Sequence, residues 1–166
     1  GFKSITKNST TGAITVEAVY DTRPNFRTTI DNATFNTGGA VTDTLTTGES
    51  GTLFNVDGTG DIVVNMPALS TANVGTTYEF LVTTAVGSGK TVIFVLPGSA
   101  VSNFYGALSL MGGTAANPAS DVAGDTLTLV NSTVVNSRVS LTCVADDGTN
   151  STWKAEALAS PIATIA

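Results

Sequence analysis

The chain has no histidine and only one cysteine, and these two scarcities exclude several kinds of active site. Without histidine it lacks the commonest general base and metal ligand, and every arrangement in which histidine activates a serine or cysteine nucleophile. A single cysteine excludes an internal disulfide framework. Cys143 alternates with Val139 and Leu141 on one face of an apolar segment, which predicts a buried structural thiol. We expect no enzyme and no metal or other cofactor.

Charged residues are also scarce, at 12% of the chain. The acidic ones are scattered through turn segments, and neighbours such as Asp146 and Asp147 point to opposite faces of a strand, so a hydrolase built on two carboxylates is not indicated. Ser88–Thr91 lacks the first glycine and the helix of a phosphate-binding loop. Asp57–Asp61 lacks the closing Glu of a calcium loop. We interpret both as turns between strands, the first as a hairpin turn.

Long apolar runs are missing as well. No run approaches the roughly 18 residues of a membrane-spanning helix, and the first residues lack the apolar core of a signal peptide. The sequence therefore predicts a soluble protein without a membrane partner. Its 166 residues correspond to one domain, long enough to bury a core without disulfides or metals.

The net charge of −6 is unevenly distributed along the chain. Residues 1–30 contain four basic and two acidic side chains, a local charge of +2, so the rest of the chain carries −8. An acidic body repels nucleic acid, whereas a short basic terminus is attracted to an acidic surface. We therefore predict a basic N-terminal arm on an acidic body, and no nucleic-acid partner.

Threonine, glycine, serine and asparagine are abundant between short apolar runs, a composition that favours strands and turns. Turn signals recur from Val41 onward every eight to fifteen or so residues, as expected of a sandwich or jelly roll. The predicted fold class is all-β, an antiparallel β-sandwich or jelly-roll-like barrel with an extended N-terminal arm. The predicted divisions are an arm with one strand and a connector (1–40), a β-sandwich body (41–160) and a C-terminal tail (161–166).

Several segments carry further expectations. Gly12–Tyr20 alternates as a strand does and needs a partner strand. Ile62–Val64 and Val92–Leu96 are apolar on both faces, which indicates central strands or strands covered by a neighbour. Residues 111–123 are poor in strand signals and predict an exposed loop. Trp153 alternates with small apolar residues, which predicts a core anchor.

A series of short segments follows in a distinctive order: an opening Ser-Gly before a strand, an Asp-Gly turn, an apolar strand ending in Pro, an aromatic strand, and a closing Asp-Gly-Thr phrase with Trp. The segments are Glu49–Gly58, Ile62–Pro67, Gly75–Val82, Gly124–Val130, Val139–Cys143 and Asp147–Trp153. From about Ser50 to Leu158 the chain thereby resembles the β-modules on tailed-bacteriophage virions. It is similar to the capsid decoration, or cement, proteins of these phages.

This resemblance implies a structural protein that decorates and stabilises the outside of a phage capsid by bridging subunits of the major capsid protein. It implies the capsid lattice as partner, a homotrimer, and a location on the exterior of the virion, with the host cytoplasm as the location during assembly. The basic arm is the predicted capsid-binding segment, because charge attracts it and apolar side chains then fill pockets. Its contact residues are predicted to be Gly1, Phe2, Lys3, Ile5, Lys7, Arg23, Phe26 and Arg27.

The alternative is a tail-fibre or appendage module that binds glycans on the host surface. Its candidate stacking faces are Tyr20, Tyr78, Tyr105 and Trp153. The chain lacks a helical or fibrous stalk pattern, which favours decoration. A third possibility is a minor domain of a larger capsid protein, although Gly1 and the C-terminal tail suggest a complete chain.

Overall fold

The computed structural model describes residues 2–7, 14–18, 29–98, 102–110, 124–161 and 163–165, the first two ranges as backbone only. The strands, in chain order, are β1 (Phe2–Lys7), β2 (Ile14–Ala18), β3 (Thr29–Asp31), β4 (Val41–Thr44), β5 (Thr52–Asp57), β6 (Ile62–Asn65), β7 (Thr77–Thr84), β8 (Val92–Val95), β9 (Asn103–Leu110), β10 (Thr126–Leu129), β11 (Arg138–Asp146), β12 (Ser151–Ala159) and β13 (Thr164–Ile165). The helical elements of this part of the chain are two short 3-10 turns, Thr47–Glu49 and Thr71–Asn73.

The described strands form three sheets. β1 and β2 form a two-stranded antiparallel sheet. A six-stranded sheet has the order β3-β5-β7-β11-β12-β9, and a five-stranded sheet has the order β13-β10-β8-β6-β4. The inward side chains of the two larger sheets belong to one hydrophobic core, so the predicted all-β sandwich is confirmed.

From β3 to β8 the chain passes from one large sheet to the other at every step. A strand reached by crossing to the opposite sheet and back runs in the same direction as the strand it joins. The ladders β3-β5-β7 and β4-β6-β8 are therefore parallel, as is the pairing of β12 with β9. The sandwich therefore contains both parallel and antiparallel pairs, and the prediction of a purely antiparallel sandwich is wrong. In the two large sheets, antiparallel pairing is confined to β7-β11-β12 and β8-β10-β13.

Strand alternation places every second side chain in the core, as in β5 and β12. The six-stranded sheet contributes most of the large aromatic groups to its inner face. Tyr78 stacks on Trp153 with ring centroids 5.9 Å apart. Phe80 meets Phe94 of the other sheet edge to face at 4.7 Å. Each such buried side chain contributes about 1.5–3 kcal/mol relative to exposure, so the aromatic contacts hold the two layers together.

Three expectations about individual residues are confirmed. Trp153 is fully buried, as a core anchor should be, and Cys143 is 1% exposed. β8, within the doubly apolar segment Val92–Leu96, is the middle strand of the five-stranded sheet, and β6 lies beside it. The central position of these strands in the sheet therefore accounts for the apolar residues on their second face.

Several segments differ from the predicted organisation. Phe2–Lys7, in the predicted arm, is itself a strand and is the partner that the strand within Gly12–Tyr20 needs. Residues 29–40, assigned to the connector, contribute β3 to the six-stranded sheet and the fully buried Phe35 to the core. In the predicted C-terminal tail, Thr164–Ile165 pairs with β10. The loop predicted at 111–123 lies outside the described residues.

The turn at Ser88–Thr91 is not a hairpin turn, because it joins β7 and β8, which lie in opposite sheets. Its lysine is engaged locally. Lys90 Nζ donates to Asp61 Oδ2 at 3.0 Å, and the backbone N–H of Thr91 donates to Asp61 Oδ1 at 3.2 Å. The hydrogen bond from Lys90 contributes most to holding the pKa of Asp61 below its ordinary value. The crossover from β7 to β8 is therefore fastened to the crossover from β5 to β6.

The outermost strand β4 carries a charge in a row of inward-facing side chains. Asp43 is in register with Val64, which is in register with Phe94. Val64 and Phe94 are fully buried, whereas Asp43 is exposed at the edge of the sheet. The inner face of the five-stranded sheet thus ends in a carboxylate on this side.

Candidate functional site

The outer face of the six-stranded sheet contains an open groove of about 540 Å³. This volume lies within the range of about 300–1,000 Å³ that is usual for ligand pockets. The groove is lined by outward side chains, together with parts of buried residues between them. These residues are Leu53, Glu79, Phe80, Ala107, Ser109, Arg138, Val139, Ser140, Glu156, Ala157 and Leu158.

Two rows of outward side chains cross this groove. The first row contains, in spatial order, Leu53, Glu79, Ser140, Glu156 and Ala107. The second contains Leu81, Arg138, Leu158 and Ser109. Side chains directly opposite on neighbouring strands have Cβ atoms about 5 Å apart, so the carboxylates of the first row start about 10 Å apart, with a serine hydroxyl between them.

The charged groups of the groove differ in their partners. Lys154 Nζ donates to Glu156 Oε1 at 2.7 Å, and this hydrogen bond and the attraction to Glu156 raise the pKa of Lys154. Across the described residues, the side chains of Glu79 and Arg138 form neither an ion pair nor a hydrogen bond. Both are exposed. One carboxylate and one guanidinium are therefore available to a ligand.

An aromatic ring lies beside the groove. Tyr105 of β9 is opposite Lys154 and 40% exposed. It precedes Ala107, a lining residue, by two positions and so lies on the same face of the sheet. Its ring adds an apolar surface at the β9 end of the first row.

The outer face of the five-stranded sheet is chemically different. Its outward strand positions are Thr42, Thr44, Val63, Asn65, Ile93, Val95, Thr126, Thr128 and Thr164. None of these side chains is charged. Val63, Ile93 and Val95 are half-buried and form the apolar centre of this uncharged face.

The residues predicted to bind the capsid fall into two groups. Phe2, Lys3, Ile5 and Lys7 lie on β1, whose backbone pairs with β2. Gly1, Arg23, Phe26 and Arg27 lie outside the described residues.

Of the four predicted stacking faces, two are buried. Tyr78 and Trp153 are fully buried in the core and stack on each other, because their strand positions face inward, so neither ring can bind a glycan. Tyr20 lies outside the described residues. Tyr105 alone among the four is described and exposed.

The acidic residues singled out from the sequence have structural roles. Asp146 is buried, and its Oδ2 accepts hydrogen bonds from Asn73 Nδ2 at 2.8 Å and from the backbone N–H of Ser70 at 3.1 Å. Asp147 Oδ1 accepts the backbone N–H groups of Thr149 and Asn150, both at 2.7 Å, and closes the β11–β12 turn. Within the described ranges, no group of three or more acidic or cysteine side chains is placed to hold a metal ion.

Comparison of the chain with protein-family models, with curated proteins and with solved structures found no match. In the described part of the chain, no helix is long and apolar enough to cross a membrane.

Sequence reasoning missed the groove, although part of the signal was present. The alternation of β7, β11 and β12 places Glu79, Arg138 and Glu156 on the outward face of their strands. What alternation does not contain is the order of the strands. Only the register of β7 with β11 and of β11 with β12 brings these three side chains together.

Proposed function

We propose that the protein is a structural virion protein that decorates the outside of a phage capsid and stabilises it by bridging major capsid protein subunits. The supporting observation is the role of the residues that carry the resemblance to phage β-modules. Asp147 closes a turn, Gly75 donates a backbone hydrogen bond to Cys143, and Trp153 fills the core. A pattern that specifies a framework and contains no catalytic group favours a protein that acts by binding.

Binding alone is sufficient for such a function. A protein that binds only the assembled lattice stabilises it by RT ln(1 + [L]/Kd), about 2.7 kcal/mol per site at a hundredfold excess over Kd. The local charge of +2 in residues 1–30, beside −8 in the rest, favours the N-terminal segment as the part attracted to an acidic shell.

The proposed homotrimer has a candidate surface, the uncharged face of the five-stranded sheet. Copies of a body with a charge of −8 repel one another, so contact between them is least costly where side chains carry no charge. Half-buried Val63, Ile93 and Val95 supply apolar area at the centre of that face. We place the contact between copies there.

The experiment that tests decoration compares phage heads with and without the protein. Heads stripped of it should remain assembled but release DNA at a lower temperature, and purified protein added back should restore the higher release temperature. Identical release curves for stripped, native and reconstituted heads would contradict the proposal.

Two matched double variants test the role of the N-terminal segment. Lys3→Ala with Lys7→Ala should reduce occupancy of heads strongly, because each charge-assisted contact contributes about 1.5–3 kcal/mol when desolvated. Arg138→Ala with Lys154→Ala changes the net charge equally but lies on the body, and should leave occupancy unchanged. Equal occupancy of the two variants would show that β1 is not the anchor.

The alternative, an appendage module that binds host glycans, is favoured by one specific observation. The groove of the six-stranded sheet has the exposed ring of Tyr105 beside it. A fibre module should bind host cells and be indifferent to capsids, whereas a decoration protein should bind expanded heads, so measuring both on the same preparation separates the two functions.

A further inference from the structure

We infer that the groove on the outer face of the six-stranded sheet is a binding site for a neutral oligosaccharide. The groove offers both polar and apolar contacts. Its rows combine carboxylates, a guanidinium and hydroxyl groups with leucine and alanine side chains. Ligand sites generally combine apolar area with a few polar groups that fix orientation.

Two charged side chains of the groove can bind a ligand directly. Among the described residues Glu79 and Arg138 have no side-chain partner, and they lie diagonally across the β7–β11 pair, because Glu79 is opposite Ser140 and Arg138 is opposite Leu81. A carboxylate accepts hydrogen bonds and a guanidinium donates them, so the two serve both roles of a sugar hydroxyl. The hydroxyls of Ser140 and Ser109 add groups that do either.

The charges around the groove favour an uncharged ligand. Glu79 and Glu156 disfavour a polyanion such as nucleic acid or a sulfated glycan, since like charges repel at close range. Arg138 and Lys154 on the same face disfavour a polycation. Mixed charges with hydroxyl groups and aliphatic area match a ligand that is hydroxylated, uncharged and partly apolar.

The shape of the groove favours an extended ligand. The groove is open and extends across strands β5, β7, β11, β12 and β9, which suits an extended chain of sugar rings better than a compact molecule. Tyr105, 40% exposed at the β9 side, offers a flat ring to the apolar face of a sugar. Leu158, 43% exposed, supplies aliphatic contact in the second row.

This inference goes beyond capsid decoration and is independent of it, because it uses only side chains of the six-stranded sheet. Purified protein would be titrated with a panel of neutral linear oligosaccharides built from hexoses and N-acetylhexosamines. A sulfated oligosaccharide, a sialylated oligosaccharide and an oligolysine peptide are the comparison probes. We expect saturable binding of at least one neutral member and weaker or no binding of the three charged probes.

Three variants locate the site. Glu79→Gln and Arg138→Ala should each raise Kd for that oligosaccharide about tenfold or more, as expected for loss of a charge-assisted hydrogen bond. Tyr105→Ala should also raise Kd. Asp125→Asn removes one exposed negative charge elsewhere on the body and should change Kd less than about twofold. All four positions are exposed, so circular dichroism should report an unchanged fold.

Two results would overturn the inference. One is the absence of binding to every neutral oligosaccharide, or preference for a charged probe. The other is neutral-glycan binding that Glu79→Gln and Arg138→Ala leave unchanged. Capsid occupancy is measured separately with heads, so loss of glycan binding with normal decoration, or the reverse, tells which of the two proposals fails.

Discussion

The two large sheets share one core but differ on both faces. The six-stranded sheet turns Phe54, Tyr78, Phe80, Phe104 and Trp153 inward, whereas the inner face of the five-stranded sheet is aliphatic apart from Phe94 and, at its exposed edge, Asp43. Outward, the first sheet presents charged side chains around a groove and the second presents none. The large aromatic core groups and the groove thus belong to the six-stranded sheet, and the five-stranded sheet presents the uncharged face on which we propose that acidic copies meet.

The sheets also differ in how the chain builds them. No two neighbouring strands of the five-stranded sheet are consecutive in the sequence, whereas β11 and β12 of the six-stranded sheet form a hairpin. Local turns can therefore stabilise one sheet directly and the other only through crossovers.

The largest effect is expected in the aromatic half of the core. Trp153→Ala should lower the free energy of unfolding by about 3–5 kcal/mol, since it empties a fully buried site and removes the stack with Tyr78. Leu127→Ala, in the aliphatic half, should cost less, at about 2–5 kcal/mol. Lys154→Ala, next to Trp153 but outward, should leave the free energy of unfolding almost unchanged. Urea denaturation measures all three, and a greater loss for Leu127→Ala than for Trp153→Ala would break the comparison.

The next effect concerns the outer faces. Ile93→Glu places a charge at the centre of the uncharged face, and an unpaired buried group costs about 1–3 kcal/mol, more when charged. We expect this variant not to form the proposed homotrimer. Leu158→Glu adds the same charge to the outer face of the six-stranded sheet and should leave association unchanged. Sedimentation velocity distinguishes these outcomes. If association survives Ile93→Glu but is lost with Leu158→Glu, the contact between copies lies on the six-stranded sheet and our assignment is wrong.

A smaller effect is expected at the β11–β12 turn. The backbone N–H groups of Asn150 and Thr149 hold the pKa of Asp147 below its ordinary value of 3.8. The ionised form therefore contributes stability above the unfolded pKa, and this contribution is lost as pH falls through the folded pKa. Asp147→Ala should lower the free energy of unfolding modestly at neutral pH, because the turn loses the carboxylate that accepts these backbone N–H groups. The difference between variant and parent should shrink in acid, and a difference independent of pH would remove ionisation from the explanation.

The smallest effect is expected in how the free energy of unfolding depends on pH in alkaline solution. Burial, with a lesser contribution from Asp146, raises the pKa of Cys143 from 9.0 to about 11. Below the unfolded pKa, the folded and the unfolded chain both hold the thiol proton, and the stability contributed by the buried thiol is fully present. As pH rises from 9 toward 11 the unfolded chain loses its proton first, so stability falls. Burial also raises the pKa of Tyr78, which extends the loss to higher pH.

Cys143 and Tyr78 both face inward on the six-stranded sheet, so we expect this sheet to cause the loss of stability in alkali. Denaturation of the parent and of Cys143→Ala at several pH values checks this. The variant should have a flatter dependence between pH 9 and pH 11. Parallel curves for the two proteins would mean that the thiol does not titrate in this range.

Sequence alternation was sufficient to predict what a single strand does. It predicted the buried Trp153 and Cys143 and the central position of β8, because a strand alternates with period two wherever one face is buried. The all-β sandwich follows from many such strands. The parallel ladders were missed because turn residues mark where a strand ends, and not whether the chain then reverses in its own sheet or crosses to the other.

The sequence contains one pattern that indicates the crossovers between the two sheets. Ile62–Pro67 and Val92–Pro97 share an alternation that ends in Met or Leu followed by Pro, and the structure aligns Ile62 with Val92. Such repetition indicates that the chain repeats the same crossover and adds one strand after another to the same sheet. The groove is harder to predict, because Glu79 and Glu156 lie far apart in the sequence and become neighbours of Ser140 only through two separate ladders.

Asp43 at the end of the inward row of the five-stranded sheet has a consequence for the behaviour of the protein at high concentration. A free strand edge is a template on which further chains can polymerise, and an inward-pointing charge is one of the ways in which native proteins prevent this. If an apolar group replaced this carboxylate, the row through Val64 and Phe94 would continue to the rim, and the edge would fit the same edge of another molecule. The carboxylate thus restricts growth at a sheet edge and leaves the faces of the sandwich as the surfaces for ordered contact.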